Sequence, residues 1–262
     1  MKKYIICIPS SDDFSLATAV LIYSLKKNLS IFDQCDVKVP FNNLNEKSKN
    51  LIRKAHKETI FSKPQDSSFY ECIPRTIYGE GNYDVYLSFE TFAQTGYERS
   101  IYLDADMLCT SDFSDIVTDP NEIVWKFPNL GILIAGKKYL TGETYQHMIN
   151  LVRNTRIKDR PDGDQVTCQH IFNPNNPDVR VVSELYNFQN FGAGGKGSVE
   201  SFETMKDDIK VIHYSGRRKP WGPVWDGDDL NKNCIRYTEL MNANGAVKTW
   251  YKYYDAFRED CL

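Results

Sequence analysis

The sequence predicts an α/β fold, a mainly parallel sheet flanked by helices, on three observations. Short apolar runs rich in β-branched and aromatic residues alternate with stretches of helical periodicity through the first two-thirds of the chain. Two of those runs stop abruptly at polar clusters, Asp104-Ala105-Asp106 and His213 onward, as buried strands do on reaching the rim of a sheet. No internal repeat or low-complexity segment competes, and 262 residues suffice for one large domain with a full core. A single domain over 1–262 is expected.

Residues 3–8 read as the opening strand. Met1-Lys2-Lys3 begins as a signal peptide does, but the apolar run stops at Pro9, too soon for a hydrophobic signal region. Pro9 to Asp13 supply a turn and helix caps, after which Phe14, Ala17, Leu21 and Leu25 recur at helical spacing over 14–27. A second strand is expected at 36–39, a helix at 44–55 and a third strand at 59–61. Residues 64–83 mix Pro, Gly, Ser and aromatics without a period and read as an irregular surface excursion. A helix at 85–93 leads to the strand ending at Asp104. Beyond it come a capped turn at 111–116, a strand at 122–126 and the segment from Phe127 to Gly136. A helix within 139–155 presents Tyr145, Met148, Ile149 and Val152 on one face. Further on lie a helix at 166–172 and strands at 179–182 and 209–212. Helices at 228–242 and 247–258 make the end of the chain, about 228–262, helical and aromatic-rich.

Composition narrows the function. A net charge of −3 and a pI near 5.9 argue against general nucleic-acid binding. Seven scattered cysteines, odd in number and never in Cys-x-x-Cys spacing, read as reduced thiols. No segment approaches the roughly 20 apolar residues of a membrane span. A soluble cytoplasmic protein is expected.

Asp104 and Asp106 need water or a cation, because burying such charges unpaired is prohibitive. Ligands of open α/β sheets collect at the carboxyl ends of strands, where two aspartates suit a hard divalent ion held against a phosphate. The plainer alternative is a solvated turn in which one aspartate caps the next segment. In the second cluster, His213-Tyr214-Ser215-Gly216-Arg217-Arg218-Lys219-Pro220-Trp221, Gly216 permits close backbone approach to a phosphate and Lys219 offers a point charge. Trp221 adds an aromatic wall; a structural histidine and a solvated lysine are the alternatives. Gly192 to Gly197 fit Gly-x-Gly-x-x-Gly by letter, but the strand before and helix after that a dinucleotide fingerprint needs are missing. A flexible loop is expected there.

Together Asp104-Ala105-Asp106 and the set His213, Gly216, Lys219, Pro220 and Trp221 resemble glycosyltransferase family 8, which contains glycogenin and the bacterial lipooligosaccharide galactosyltransferases. Its members carry Asp-x-Asp and then His-x-x-Gly-x-x-Lys-Pro-Trp. The resemblance spans 4–221 and implies the GT-A nucleotide-sugar transferase fold, of Rossmann-like type. It implies a metal-dependent retaining hexosyltransferase that uses a UDP-sugar, UDP-glucose or UDP-galactose. In this likeness the turn after the first strand receives the nucleotide through Ile8, Ser10, Asp12 and Phe14. Phe14 stands where the family often has tyrosine, and a core role for its ring is the alternative. Asp104, Asp106 and His213 would ligate the metal, with Ala105, Gly216 and Lys219 completing the donor site. Such an oxygen and imidazole shell suits Mn2+ better than Ca2+, with Mg2+ a weaker substitute.

Asn129 and Gly131 match the family's donor-sugar pocket, the alternative, and the better reading of these residues without the flanking motifs, being an ordinary loop entering a strand. Asp164-Gln165 matches its Gly-Asp-Gln, a simple N-cap at Asp164 being the alternative. Catalysis is accordingly assigned to Asp164, Gln165 and Lys219. Leu185-Tyr186-Asn187 resembles the aromatic-Asn step before the last motif. Two departures stand out: nothing basic occurs between Ile77 and Tyr97, where the family has a basic residue near Ser88, and Leu130 replaces a small residue. They keep open a UDP-sugar-binding module that has lost catalysis, and, further off, another nucleotide-dependent α/β enzyme. The acceptor is open among glycan, lipid, protein and self-modification at one of sixteen tyrosines.

Overall fold

The computed structural model describes residues 2–71, 73, 82–159, 162–190, 199–215, 219–221 and 245–262. In chain order the strands are β1 (Tyr4–Cys7), β2 (Cys35–Pro40), β3 (Ile60–Ser62), β4 (Arg99–Leu103), β5 (Met107–Cys109), β6 (Ile123–Trp125), β7 (Ile132–Gly136), β8 (Val179–Val181), β9 (Phe188–Gln189) and β10 (Val211–His213). Seven form one sheet in the order β3-β2-β1-β4-β7-β6-β8, and β5-β10-β9 form a smaller one. In the larger sheet β1 pairs in parallel with β2 and β4, β2 with β3, and β6 with β8, while β7 runs against its neighbours β4 and β6. The mainly parallel sheet expected from the alternating pattern is present.

Strand alternation feeds two cores. Ile101 and Leu103 of β4, with Ile132 and Ile134 of β7, point into one shared with Val20, Leu25, Ile52, Trp250 and Phe257. Those partners lie on α1 (Ser15–Asn28), α2 (Glu46–Ala55) and the final helix, Gly245–Cys261. Tyr102, Leu133 and Ala135 point to the opposite face, where Tyr145, Met148, Ile149 and Val152 meet them from α5 (Gly142–Arg153). The predicted apolar face of that helix is fully buried. Asn45 caps α2 and Thr141 caps α5, each accepting a backbone N–H of the first turn.

Three expectations change. Inside the excursion at 64–83, α3 (Ser67–Glu71) forms because Asp66 accepts Phe69 N–H at 3.1 Å and the Phe69 ring is buried. The helix expected at 85–93 is a 3-10 helix, Asn82–Thr91. Asp164 is not an N-cap: Asp162 occupies that position of α6 (Gly163–Ile171), and Asp164 is buried in the first turn. Short helices α4 (Ser114–Val117) and α7 (Val199–Met205) and several short 3-10 turns are also present. Gly216, the glycine loop at 192–197 and the helix expected at 228–242 lie outside the described residues.

Candidate functional site

The chain leaves the large sheet at Asp104 and joins the small one at Met107. Asp104 N–H extends the β4–β7 ladder by bonding Gly131 O at 2.9 Å, and Met107 N–H closes a turn onto Asp104 O at 3.2 Å. β5 and β10 pair antiparallel with Met107 opposite His213, and Tyr214 N–H bonds Asp106 O at 2.9 Å. This register sets the imidazole beside both aspartates across more than a hundred residues of sequence. His213 Nε2 lies 3.1 Å from Asp106 Oδ1 and 3.5 Å from Asp104 Oδ2. One ligand atom from each residue falls within 4.8 Å of the others. Two carboxylate oxygens and an imidazole nitrogen so disposed suit a divalent cation with mixed oxygen and nitrogen preference.

The remaining ligand atoms are taken. Tyr102 OH donates to Asp104 Oδ1, and Lys219 Nζ donates to Asp106 Oδ2 and, at 2.7 Å, to Tyr214 O. Lys219 is thus a half-buried ion-pair partner and not a solvated surface lysine. Burial, reinforced by the Asp106 charge, pushes the Asp104 carboxyl above its usual range. At Asp106 burial acts in the same sense, but His213 and Lys219 outweigh it and hold this carboxyl below the usual range. Burial alone would lower His213; Asp106 and Asp104 reverse that and raise it. Asp164 is pushed up to about 7 by burial and by the charge of Asp104.

A cleft of about 740 Å³ opens in front of this cluster. Ser10, Asp12 and Phe14 line it together with Asp104, Ala105 and Asp106 and with Asn129, Asp164 and Gln165. The Phe14 ring is neither free nor simply core: it meets Trp221 edge-on at 5.8 Å, with Lys219 Nζ 5.8 Å from its centroid. Asp12 accepts Asn45 N–H at 2.9 Å, so its carboxylate also ties the turn to α2. Ile8 is fully buried, bonded through its N–H to Lys38 O at 3.0 Å, and is not among the lining residues. Gly131 lies behind the cleft against His213. Of the two departures from the family pattern, Leu130 is buried and lines the cleft, whereas Ser88 is 3% exposed and is not among the lining residues.

Sequence reasoning left Asn187 and Tyr102 out of the site. Asn187 Oδ1 is 3.0 Å from His213 Nδ1, and its Nδ2 donates to Asn129 Oδ1 at 2.7 Å. The aromatic-Asn step was the available signal for Asn187. Tyr102 carries none, since it looks like any core residue of a strand.

No family model matches the sequence. Among curated proteins, one from Arabidopsis thaliana that bears the name UDP-glucuronate:xylan alpha-glucuronosyltransferase 3 is 25% identical over 190 residues. That alignment covers 70% of this chain but only 29% of the relative, so the chain spans under a third of its length. Among solved structures, the galactosyltransferase LgtC, in complex with donor and acceptor sugar analogues, matches with a TM-score of 0.62 at 15% identity, over 92% of this chain and 96% of that one. The glycosyltransferase GlyE of Streptococcus pneumoniae TIGR4 matches with a TM-score of 0.62 at 14% identity, over 97% of this chain and 61% of that one. Mouse xyloside xylosyltransferase 1 gives a TM-score of 0.51 at 12% identity, over 81% and 96%. At such identities the likeness establishes architecture: the chain has the GT-A glycosyltransferase fold.

Proposed function

We propose that this chain is a glycosyltransferase of the family 8 type. It moves a hexose from a UDP-sugar, UDP-glucose or UDP-galactose, to an acceptor hydroxyl with retention of configuration. The reading rests on one observation above others: Asp104, Asp106 and His213 converge at the carboxyl end of β4, beside a cleft large enough for a nucleotide sugar. The fold and the sugar-transferring relatives support it. Mn2+, or less effectively Mg2+, fits the oxygen and imidazole set, and when bound supplies counter-charge to the departing diphosphate.

The chain's own residues do the rest. Phe14, backed by Trp221, offers an aromatic face for the uracil. Lys219, which pairs with Asp106 in this structure, would offer its charge to the departing diphosphate and stabilise the leaving group. Gln165, whose Oε1 is held by Leu130 N–H and Asn129 Nδ2 at 3.2 Å each, lies at the sugar end with Asp164. An amide is a poor nucleophile, so same-face attack is favoured over a covalent glycosyl-enzyme. The bond from the anomeric carbon to the UDP oxygen breaks, the acceptor oxygen bonds to the same face, and the acceptor proton passes to the departing diphosphate. Gln165 steadies positive charge at the anomeric centre and Asp164 holds a sugar hydroxyl.

Screening UDP-sugars with Mn2+ for hydrolysis and transfer, with proton NMR of the fresh product, tests this directly. An α linkage from an α donor is expected. A β linkage would overturn retention, and UDP binding with no turnover of any donor would leave a binding module.

A further inference from the structure

Which atom of a side-chain amide is oxygen, and which imidazole nitrogen carries a proton, follow from their partners. Here the partners form a chain that starts at the backbone. Gly131 N–H can only donate, and it lies 3.0 Å from the Asn129 side chain, so the atom facing it is Oδ1. That oxygen can only accept, so the Asn187 atom 2.7 Å from it is Nδ2. Asn187 therefore turns Oδ1 to His213 Nδ1, at 3.0 Å, and the ring must answer with an N–H. A second backbone donor imposes the same polarity, since Leu130 N–H and Asn129 Nδ2 both donate to Gln165 Oε1. Asn187 is 1% exposed, so water does not replace either of its bonds.

We propose that Asn129 and Asn187 are positioning residues for His213. Their relay from the Gly131 backbone holds the proton on Nδ1 and turns the Nε2 lone pair to the cation between Asp104 and Asp106. The assignment rests on the metal reading of the site and extends it to two amides outside the candidate ligand set. It gives Asn129 a task that is separate from contact with the donor sugar. It also makes the polarity of the site a property of a strand entrance, residues 129 to 131, and not of the histidine alone.

The test compares Mn2+ affinity by calorimetry in the full chain and two variants, with melting temperature recorded for each. Asn187→Leu keeps the shape and removes both bonds; affinity should fall about 10- to 100-fold, the usual cost of losing the partner that orients a ligating histidine. Asn187→Asp still offers an oxygen to Nδ1–H, and its other oxygen, kept protonated by burial against Asn129 Oδ1, donates where Nδ2 did, so most of that loss should be recovered. Parental affinity in Asn187→Leu, or no recovery in Asn187→Asp, overturns the proposal. If Asn187→Leu fails to fold, the parent protein decides. With 15N-labelled histidine, assigned through His213→Gln, a slowly exchanging Nδ1–H of His213 is expected both metal-free and with Mg2+. Its absence from the metal-free protein refutes the relay. A parent that binds no Mn2+ would refute the metal reading, while the metal-free Nδ1–H signal still judges the relay.

Discussion

A single methyl group at residue 131 should disable the cation site. A Cβ built on Gly131 would lie 2.5 Å from His213 Nδ1, 2.9 Å from Cε1 and 3.0 Å from Asn129 Oδ1. Non-bonded heavy atoms settle at roughly 3.5 Å or more, so the imidazole must retreat by about 1 Å. Yielding at the backbone instead is resisted, because Gly131 O accepts Asp104 N–H at 2.9 Å and Gly131 N–H donates to Asn129 at 3.0 Å. Overpacking of this kind costs about 1–3 kcal/mol of fold stability. Ligation is the more sensitive quantity, since metal–ligand distances tolerate only about 0.2 Å. Gly131→Ala should therefore lower Mn2+ affinity tenfold or more, about 1.4 kcal/mol, with a modest fall in melting temperature. Calorimetry with Mn2+ and UDP, beside a thermal melt, measures both. A folded Gly131→Ala protein with parental Mn2+ affinity would show that His213 is not held where the ligand geometry requires it.

Asp106→Asn keeps the shape and removes a charge, so Mn2+-dependent UDP binding should drop about tenfold or more, on the order of 1.4 kcal/mol; calorimetry giving unchanged affinity would end the metal assignment. Because Lys219 competes for Asp106, Lys219→Ala should bind Mn2+ alone more tightly yet lose most transfer and UDP-sugar hydrolysis. A variant that retains turnover removes Lys219 from the mechanism. Asp164 is raised in the fold, so its neutral form is the stabilising one: metal-free stability should decline as pH climbs from the ordinary carboxylate range, about 4, through about 7. Asp164→Asn should then match the parent in acid, melt higher above about pH 7, and turn over more slowly; identical melts at alkaline pH would contradict the burial argument. His213 is raised as well, and imidazolium cannot ligate, so Mn2+ affinity should strengthen as pH rises through a range above the usual value of about 6.5. A flat titration between mildly acid and alkaline pH would show that another group limits binding.

The frame was legible because its signals are local. α1, β2 and α2 carry their own period, β1 and β7 are unbroken apolar runs, and the one-sided burial of Tyr145, Met148, Ile149 and Val152 follows from spacing alone. α3 escaped because five residues are too few to show a period, and its cap and buried Phe69 become meaningful only beside Tyr145 and Arg153. Asp104, Asp106 and His213 could be named from their motifs, whereas their meeting depends on the antiparallel register of β5 on β10, which no local pattern encodes. Lys219 could be named as a charge for a phosphate, whereas its pairing with Asp106 could not be read because the two are distant in sequence. Asn187 was legible as part of a motif but given no role, for the same reason: a buried amide acquires direction only from the groups on either side of it.

Asp104 belongs to the end of the large sheet and Asp106 to the start of the small one, with a single alanine between them. α1 fastens both sheets, lying over β1 while Ser24 Oγ accepts Cys109 N–H at 3.0 Å and Asn28 Nδ2 donates to Cys109 O at 2.8 Å. The spacing of the two carboxylates is therefore a gauge of how the sheets are seated. A small slip deep under α1, at the buried Ser24 hydroxyl, would be transmitted to the separation of the two carboxylates. Discrimination between a larger and a smaller cation would then be adjustable from the interior of the protein with every ligand left in place.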